Sequence, residues 1–112
     1  MPGVSLAFDV DPTIDWQAMD VNLKVQLCRI LQEAEQNIVK YAAATRVALD
    51  IRLEDKMLKV RLSDNGRGFD DERTSRGLGL RNMEERAKEL GGVMRVATAP
   101  GHGTRLEWDL PC

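Results

Sequence analysis

The chain has 112 residues, of which 43% are hydrophobic and 30% are charged, and its formal net charge is -2. This composition is typical of one globular domain (residues 1–112) with a real core and excludes a disordered chain. It gives no reason to expect nucleic acid as a partner, and no apolar stretch is long enough to span a bilayer. Because the chain has only two cysteines and they have no partners, a reducing cytoplasm is the expected compartment, with a membrane anchor allowed for the full-length protein. Cys28 and Cys112 lack metal-ligand spacing, and Cys28, inside a helical pattern, is expected to be a small core residue.

The first elements in the chain are a strand and a long helix. Residues 4–10, VSLAFDV, alternate between apolar and polar and predict a strand, which Asp11 and Pro12 then end. Asp20 is a good N-cap for the helix that follows. From Val21 to about Ala42, apolar residues recur at intervals of three and four, which predicts an amphipathic helix.

Three polar residues near the end of this helix share one stripe. Glu33, Asn37 and Lys40 are spaced by four and three residues, so they lie beside the apolar face. The stripe has two interpretations. It is either an ordinary solvated surface with an i,i+4 hydrogen bond, or a carboxylate, a neutral oxygen ligand and an ammonium that face one phosphate group and its metal.

The remaining elements predict a sheet covered by helices. Residues 46–53 and 56–62 form a hairpin across a turn at Glu54 and Asp55, and residues 95–98 and 104–110 form another across the turn signal of residues 100–103. Residues 80–90 predict a second helix, ended by Gly91 and Gly92. The predicted fold is a two-layer α/β sandwich, with a mixed, mostly antiparallel sheet of about five strands covered by helices on one face.

The segment between the second hairpin strand and the second helix is rich in glycine. It contains DNGRGF at residues 64–69 and GLGL at residues 77–80. Glycines at such offsets allow a close approach of the backbone to a ligand, and a helix N-terminus after them favours an anion, so a phosphate-bearing ligand is indicated. The dinucleotide fingerprint, the P-loop and a calcium loop are excluded, because their required residues are missing.

Four segments together resemble the GHKL ATPase superfamily. Residues 31–42 resemble its N-box, residues 64–69 its first glycine box, residues 77–80 its second, and residues 90–104 its closing hairpin. The sequence RNMEER at residues 81–86 and the short gap between the boxes are most similar to the catalytic ATP-binding domain of two-component sensor histidine kinases, of the nitrate-sensor or LuxR-partnered type.

The resemblance implies a set of nucleotide contacts. Asp64 would accept a hydrogen bond from the adenine amino group, supported by Thr104, and would select ATP over GTP. Phe69 would anchor a flexible lid. The other positions implied to bind the nucleotide are Asn37, Lys40, Tyr41, Gly66, Gly68, Arg76, Gly77, Leu78, Gly79 and Leu80.

The resemblance also implies the chemistry. Asn37 would ligate Mg²⁺ at the phosphates, Lys40 and Arg76 would offset phosphate charge, and Glu33 would orient the reacting group or serve as general base. The γ-phosphoryl group of ATP would be transferred to a histidine. That histidine would lie on separate dimerisation helices, with a response regulator downstream, and the isolated domain is expected to be monomeric.

Some residues depart from the family pattern. Tyr41 stands where this branch usually carries histidine, which puts an acid/base role there in doubt, and Glu35 replaces a usually apolar residue. The only histidine, His102, lies in a glycine-flanked turn and is a poor candidate for a phosphoacceptor. Without a phosphoacceptor, the chain is either an excised catalytic domain or a stand-alone ATPase module. We expect an excised domain, because its start at Met1, Pro2 and Gly3 is typical of one.

Two alternatives stay open. One is an anti-sigma-type serine/threonine protein kinase, which shares the nucleotide box but phosphorylates a protein serine. The other is a nucleotide-binding module without transfer activity, against which Glu33, Asn37, Asp64 and the four box glycines argue. A topoisomerase or chaperone ATPase is disfavoured by the short segment between Gly68 and Gly77.

Overall fold

The computed structural model describes residues 5–38, 44–66, 80–98 and 101–112. Within these ranges the chain forms five strands and two helices. In chain order they are β1 (Ser5–Val10), α1 (Val21–Asn37), β2 (Arg46–Glu54), β3 (Met57–Asp64), α2 (Leu80–Glu89), β4 (Val93–Thr98) and β5 (Thr104–Pro111).

The strands form one mixed sheet in the order β1-β2-β3-β5-β4. Only β1 and β2 are parallel, because the long α1 crossover connects them; the other three neighbouring pairs are antiparallel. The predicted fold class and both predicted hairpins are therefore confirmed. β4 begins two residues earlier than predicted, at Val93.

Both helices lie on one face of the sheet and bury a common core. α2 contacts β4 and β5 and also α1, which places α1 over the middle of the sheet. The core is apolar throughout the described residues, and its largest fully buried side chains are Trp108, Ile30, Leu58, Met83, Leu110 and Val60. Alternate residues along β3 and β5 supply one layer of the core, and residues three and four apart along α1 supply the other.

The helix ends follow the predicted signals. The Asp20 side chain accepts a hydrogen bond from the Asn22 backbone N–H at 3.3 Å. After α2, Gly91 has φ +77°, and the Gly92 N–H donates to the Ala87 carbonyl at 2.8 Å, which closes the helix with a glycine C-cap. The predicted continuation of α1 beyond residue 38 lies outside the described residues.

The β2–β3 turn corrects one prediction. The turn residues are Asp55 and Lys56, with φ of 51° and 60°, rather than Glu54 and Asp55. Glu54 instead pairs with Met57 as the last rung of the ladder. Two central residues with positive φ make a turn whose twist matches the strands, and this outweighs the poor fit of lysine to that conformation.

Cys28 corrects a second prediction, because it is exposed rather than part of the core. It follows Leu27, which is buried, and the rotation of about 100° per residue along a helix carries it off the buried face.

The sheet face opposite the helices is charged. Asp109 is bridged by Lys59 at 3.2 Å and by Arg95 at 3.0 Å, and these cations hold the pKa of its carboxyl below its usual value. Glu107 similarly binds Arg61 and Arg105. Opposite charges on neighbouring strands keep this face solvated, which explains why both described helices cover the other face.

In the part of the chain that the structure describes, neither helix has the length and apolar character needed to cross a membrane.

Candidate functional site

Several chain segments converge at one end of the sheet. β3 ends there at Asp64, opposite Thr104, where β5 begins. β2 starts at the same end, because Val47 pairs with Asp64. α2 is followed by β4, which begins at Val93 opposite Asp109, far from the Asp64 end of the sheet. The N-terminus of α2 at Leu80 therefore lies toward the Asp64 end.

Asp64 is the acidic group at the centre of this end. It continues the alternation of Val60 and Leu62, so its side chain points to the helix-covered face rather than the charged one. Partial burial raises the pKa of the Asp64 carboxyl, whereas the backbone N–H groups of Gly66 and Thr104 lower it without cancelling the effect. The Gly66 N–H donates to Asp64 Oδ1 at 2.8 Å, which fixes one carboxylate oxygen in a tight turn.

Asn65 holds the Asp64 turn against the neighbouring strand. Its Oδ1 accepts hydrogen bonds from the backbone N–H groups of Thr45 at 2.9 Å and Arg46 at 2.8 Å. Its Nδ2 donates to Thr45 Oγ1 at 2.9 Å. No role for Asn65 was predicted from the sequence. An Asn between a strand and a glycine is the available signal, since its side chain readily bonds backbone groups.

Gly103 lets the closing hairpin approach the same turn. Its φ is +76°, and a Cβ at this position would lie 2.3 Å from the Asp64 carbonyl oxygen. Thr98 Oγ1 lies 3.2 Å from the Gly103 carbonyl oxygen, to which it donates, and 3.0 Å from Thr104 Oγ1. Gly103 and Thr98 therefore position Thr104 beside Asp64, a supporting role that the sequence analysis missed.

Glu33 and Asn37 lie on the flank of α1 that faces α2. Gln26 marks this flank, because its Oε1 accepts a hydrogen bond from Arg86 Nη1 of α2 at 3.0 Å. Glu33 and Asn37 follow Gln26 by seven and eleven residues, close to two and three helical turns, and both are half-buried. The predicted Glu33–Asn37 stripe thus borders the cleft between the helices at the Asn37 end of α1.

The structure places five of the predicted site residues besides Asp64. Gly66 is buried in the turn, Thr104 is half-buried opposite Asp64, and Leu80 is a buried residue that begins α2. Glu33 and Asn37 lie on α1. The other predicted site residues lie outside the described ranges: Lys40, Tyr41, Gly68, Phe69, Arg76, Gly77, Leu78 and Gly79.

The described part of the site is suited to a ligand with one polar and one anionic end. Asp64 offers an acceptor in a partly desolvated place, where a hydrogen bond is stronger than in water. The end of α2 at Leu80 is the positive end of its dipole, which favours an anion. Among the described residues, no cluster of three or more His, Cys, Asp or Glu side chains could by itself hold a metal.

This arrangement defines a class of protein: an ATPase-type domain with a mixed sheet, a helix layer on one face, and an acidic residue at the strand end beside a glycine turn. Residues 22–112 match the histidine kinase-, DNA gyrase B-, and HSP90-like ATPase family, and the chain belongs to that family. The resemblance to this superfamily predicted from the sequence is confirmed.

The similar proteins include a sensor protein and a sensor histidine kinase. The chain is 40% identical to the sensor protein VraS of Staphylococcus aureus (strain COL) over 86 residues, which cover 76% of the chain and 25% of VraS. It is 34% identical to the sensor histidine kinase LiaS of Bacillus subtilis (strain 168) over 104 residues, or 92% of the chain and 29% of LiaS. The chain thus spans only about a quarter of the length of these relatives.

A solved structure has the same fold. The ATP-binding domain of PrrB from Mycobacterium tuberculosis superposes with a TM-score of 0.78 at 27% identity, covering 99% of this chain and 82% of that domain.

Proposed function

We propose that this chain is the ATP-binding catalytic domain of a sensor histidine kinase. It binds Mg-ATP and transfers the γ-phosphoryl group to a histidine on a separate dimerisation domain. The observation that carries this proposal is the half-buried Asp64 carboxylate, fixed by Gly66 and facing the helix layer at the end of the sheet. The kinase assignment is supported by the similarity to LiaS, which is named a sensor histidine kinase.

Asp64 would read the adenine base. A carboxylate accepts hydrogen bonds and donates none while it is ionised, so it favours the adenine amino group and leaves the carbonyl of guanine unpaired. An unpaired buried polar group costs more than a typical hydrogen bond contributes, so this single contact discriminates between ATP and GTP. The hydrogen bonds of Asn65 to β2 and the close packing of Gly103 against the Asp64 carbonyl keep the carboxylate in place before the nucleotide binds.

The phosphates and the metal would lie between α1 and α2. Asn37 and Glu33 supply amide and carboxylate oxygens, the ligand type that Mg²⁺ prefers, and these two residues fit a metal that keeps several waters and phosphate oxygens. Bound Mg²⁺ would neutralise charge on the phosphates. Asn37 would hold it, Glu33 would orient the reacting group or accept its proton, and Lys40 and Arg76 would offset the remaining charge.

The full assignment includes partners. The phosphoacceptor helices and a response regulator would be supplied by the longer protein or by separate chains, with the domain working in the cytoplasm. We also propose the nitrate-sensor or LuxR-partnered subtype, on the basis of the RNMEER sequence that begins at Arg81.

The proposal is tested by comparing ATP and GTP binding to the wild-type domain and to Asp64→Asn. We expect the wild type to prefer ATP and Asp64→Asn to lose about 1.5–3 kcal/mol of ATP affinity, the scale of a hydrogen bond to a charged group. Asp55→Asn, an exposed carboxylate in the β2–β3 turn, is the matched control and should bind ATP as the wild type does. Equal ATP affinity for Asp64→Asn and the wild type would mean that adenine is not read by Asp64.

The acceptor is tested separately. With a phosphoacceptor protein present, phosphate that is labile in acid and stable in base indicates histidine. The opposite stability indicates the serine/threonine kinase alternative.

A further inference from the structure

The outer edge of β1 has the features of a strand-pairing surface. Among the described residues, β1 pairs only with β2 and forms one edge of the sheet. The Ser5 N–H donates to the Thr45 carbonyl at 2.8 Å, and the Asp11 N–H donates to the Ile51 carbonyl at 2.8 Å. Backbone direction alternates along a strand, so the odd-numbered residues bond β2, and Leu6, Phe8 and Val10 direct their N–H and C=O groups to the open edge.

The same three residues form an exposed apolar row, here called the β1 stripe (Leu6, Phe8 and Val10). Their exposed fractions are 49%, 67% and 40%. They pair with Val47, Leu49 and Ile51 of β2, so the β1 stripe continues the helix-covered face beyond the reach of α1. An apolar row with open backbone groups is a template for another strand.

Ser5–Val10 lacks the features that usually keep an edge strand from pairing with another chain. This strand contains no lysine, no proline and no bulge, and its only charged residue is Asp9. The Asp9 carboxylate is ion-paired with Arg52, which it shares with Asp50, and Asp9 lies on the charged face of the sheet rather than in the apolar row. The opposite edge strand, β4, differs because Arg95 lies in its middle and binds Asp109 and Glu107 across the charged face.

We propose that β1 pairs with the β1 strand of a second copy of this chain, antiparallel and with Phe8 opposite Phe8. Antiparallel pairing requires outward-pointing residues to face each other, so even-numbered residues must pair with even-numbered ones. The register with Phe8 at the two-fold axis places Leu6 opposite Val10 and uses all three outward residues of each copy.

This register also avoids charge conflict. Asp9 faces Ala7 of the other copy, so no like charges are directly opposed. The two β1 stripes lie on the same face of a continuous ten-strand sheet, with both helix layers on that side. A second copy is favoured over an unrelated strand because this self-complementary register satisfies the apolar, backbone and charge requirements at once.

The pairing is expected to be weak. Five paired residues per strand bury less than the roughly 1,200–2,000 Å² of a standard stable interface. We therefore expect a monomer at low concentration, and the apparent mass should rise from 12.6 kDa toward twice that value as concentration increases. Sedimentation equilibrium from about 10 μM to 1 mM covers the affinity range of such an interface.

Charge substitution at the two-fold axis tests the register. Phe8→Lys and Phe8→Glu each place two like charges opposite each other, so each variant alone should remain monomeric throughout the concentration series. An equimolar mixture of the two variants should recover the dimer. The same substitutions at Val25, an exposed apolar residue of α1, should leave association unchanged. A wild type that stays monomeric at 1 mM, or a mixture that fails to associate, would overturn the proposal.

Cross-linking and amide exchange separate strand pairing from other apolar contacts. In a background with Cys28→Ser and Cys112→Ser, Phe8→Cys should form a disulfide-linked dimer, because directly opposed, hydrogen-bonded residues have Cα atoms about 5.5 Å apart. Val10→Cys should not cross-link, since its two copies would be about 13 Å apart along the strands. Amide exchange should slow on dimerisation at Leu6, Phe8 and Val10 and stay unchanged at Ala7 and Asp9. Equal cross-linking of both cysteine variants, or no added amide protection, would show that the copies do not pair through β1.

Discussion

The contact between Gly103 and the Asp64 turn makes a measurable prediction. An alanine Cβ at residue 103 would lie 2.3 Å from the Asp64 carbonyl oxygen and 3.2 Å from the Asn65 Cα. The left-handed backbone costs a non-glycine residue about 1–2 kcal/mol, and displacing packed backbone costs about 1–3 kcal/mol more. The reduced entropy of the unfolded alanine chain offsets about 0.4–1 kcal/mol. We expect Gly103→Ala to lose about 2–4 kcal/mol of unfolding free energy.

Gly101 offers a matched control in the same turn. Its φ is +81°, but a Cβ there would meet no atom of the described residues within 4 Å. Gly101→Ala therefore carries only the backbone strain and should lose about 1 kcal/mol or less. Urea unfolding followed by circular dichroism measures both free energies, and ATP titration should show a larger loss of affinity for Gly103→Ala. If the two variants were equally stable, the close approach to Asp64 would not matter, and the reasoning about the turn would be wrong.

Three further predictions concern the site and the core. Burial raises the pKa of Asp64, so its ionised form destabilises the folded state. The stability linked to this group therefore falls as pH rises from the ordinary aspartate pKa of 3.8 through the higher pKa of the folded protein. Asp64→Asn should accordingly raise the Tm relative to the wild type at pH 7 and not at pH 3; an equal difference at both pH values would contradict this. Asn65→Ala removes three hydrogen bonds to residues 45 and 46 and should cost about 1–3 kcal/mol in urea unfolding, while a neutral effect would show that they do not hold the turn. The buried Trp108 Nε1–H has no hydrogen-bond partner among the described residues, so Trp108→Phe should cost far less than the roughly 3–5 kcal/mol of Trp108→Ala, and similar losses for the two variants would contradict this expectation.

The regular elements could be predicted from the sequence because their patterns are local. The helical period in α1, the N-cap at Asp20, and the glycines after α2 each act within a few residues, and the structure follows all three. The order of the four motifs also predicted the family, whereas a single glycine pair is not specific enough to do so.

The wrong or missing predictions depend on contacts between distant segments or on a difference of a single residue position. The β2–β3 turn moved by one residue because the ladder kept its register up to Glu54 and Met57, which the turn residues alone do not reveal. Cys28 was misplaced because one helical step separates a buried from an exposed position. The supports from Gly103 and Asn65 could not be predicted, since each acts on a segment about twenty to forty residues away in sequence.

The polar stripe on α1 illustrates that residue spacing predicts a shared helix flank but not the function of that flank. Spacing alone placed Glu33 and Asn37 on one flank but could not tell a solvated flank from a site. The hydrogen bond between Gln26 and Arg86 shows that this flank faces α2. The metal role of Asn37 stays a prediction.

The most direct test of this account is calorimetric titration of ATP, ADP and GTP into the purified domain, with and without Mg²⁺. The account predicts binding that is selective for adenine and tighter for ATP when Mg²⁺ is present, with the Mg²⁺ effect lost in Asn37→Ala. Equal binding of ATP and GTP, or ATP binding that does not respond to Mg²⁺, would contradict the assignment of Asp64 to the base and Asn37 to the metal.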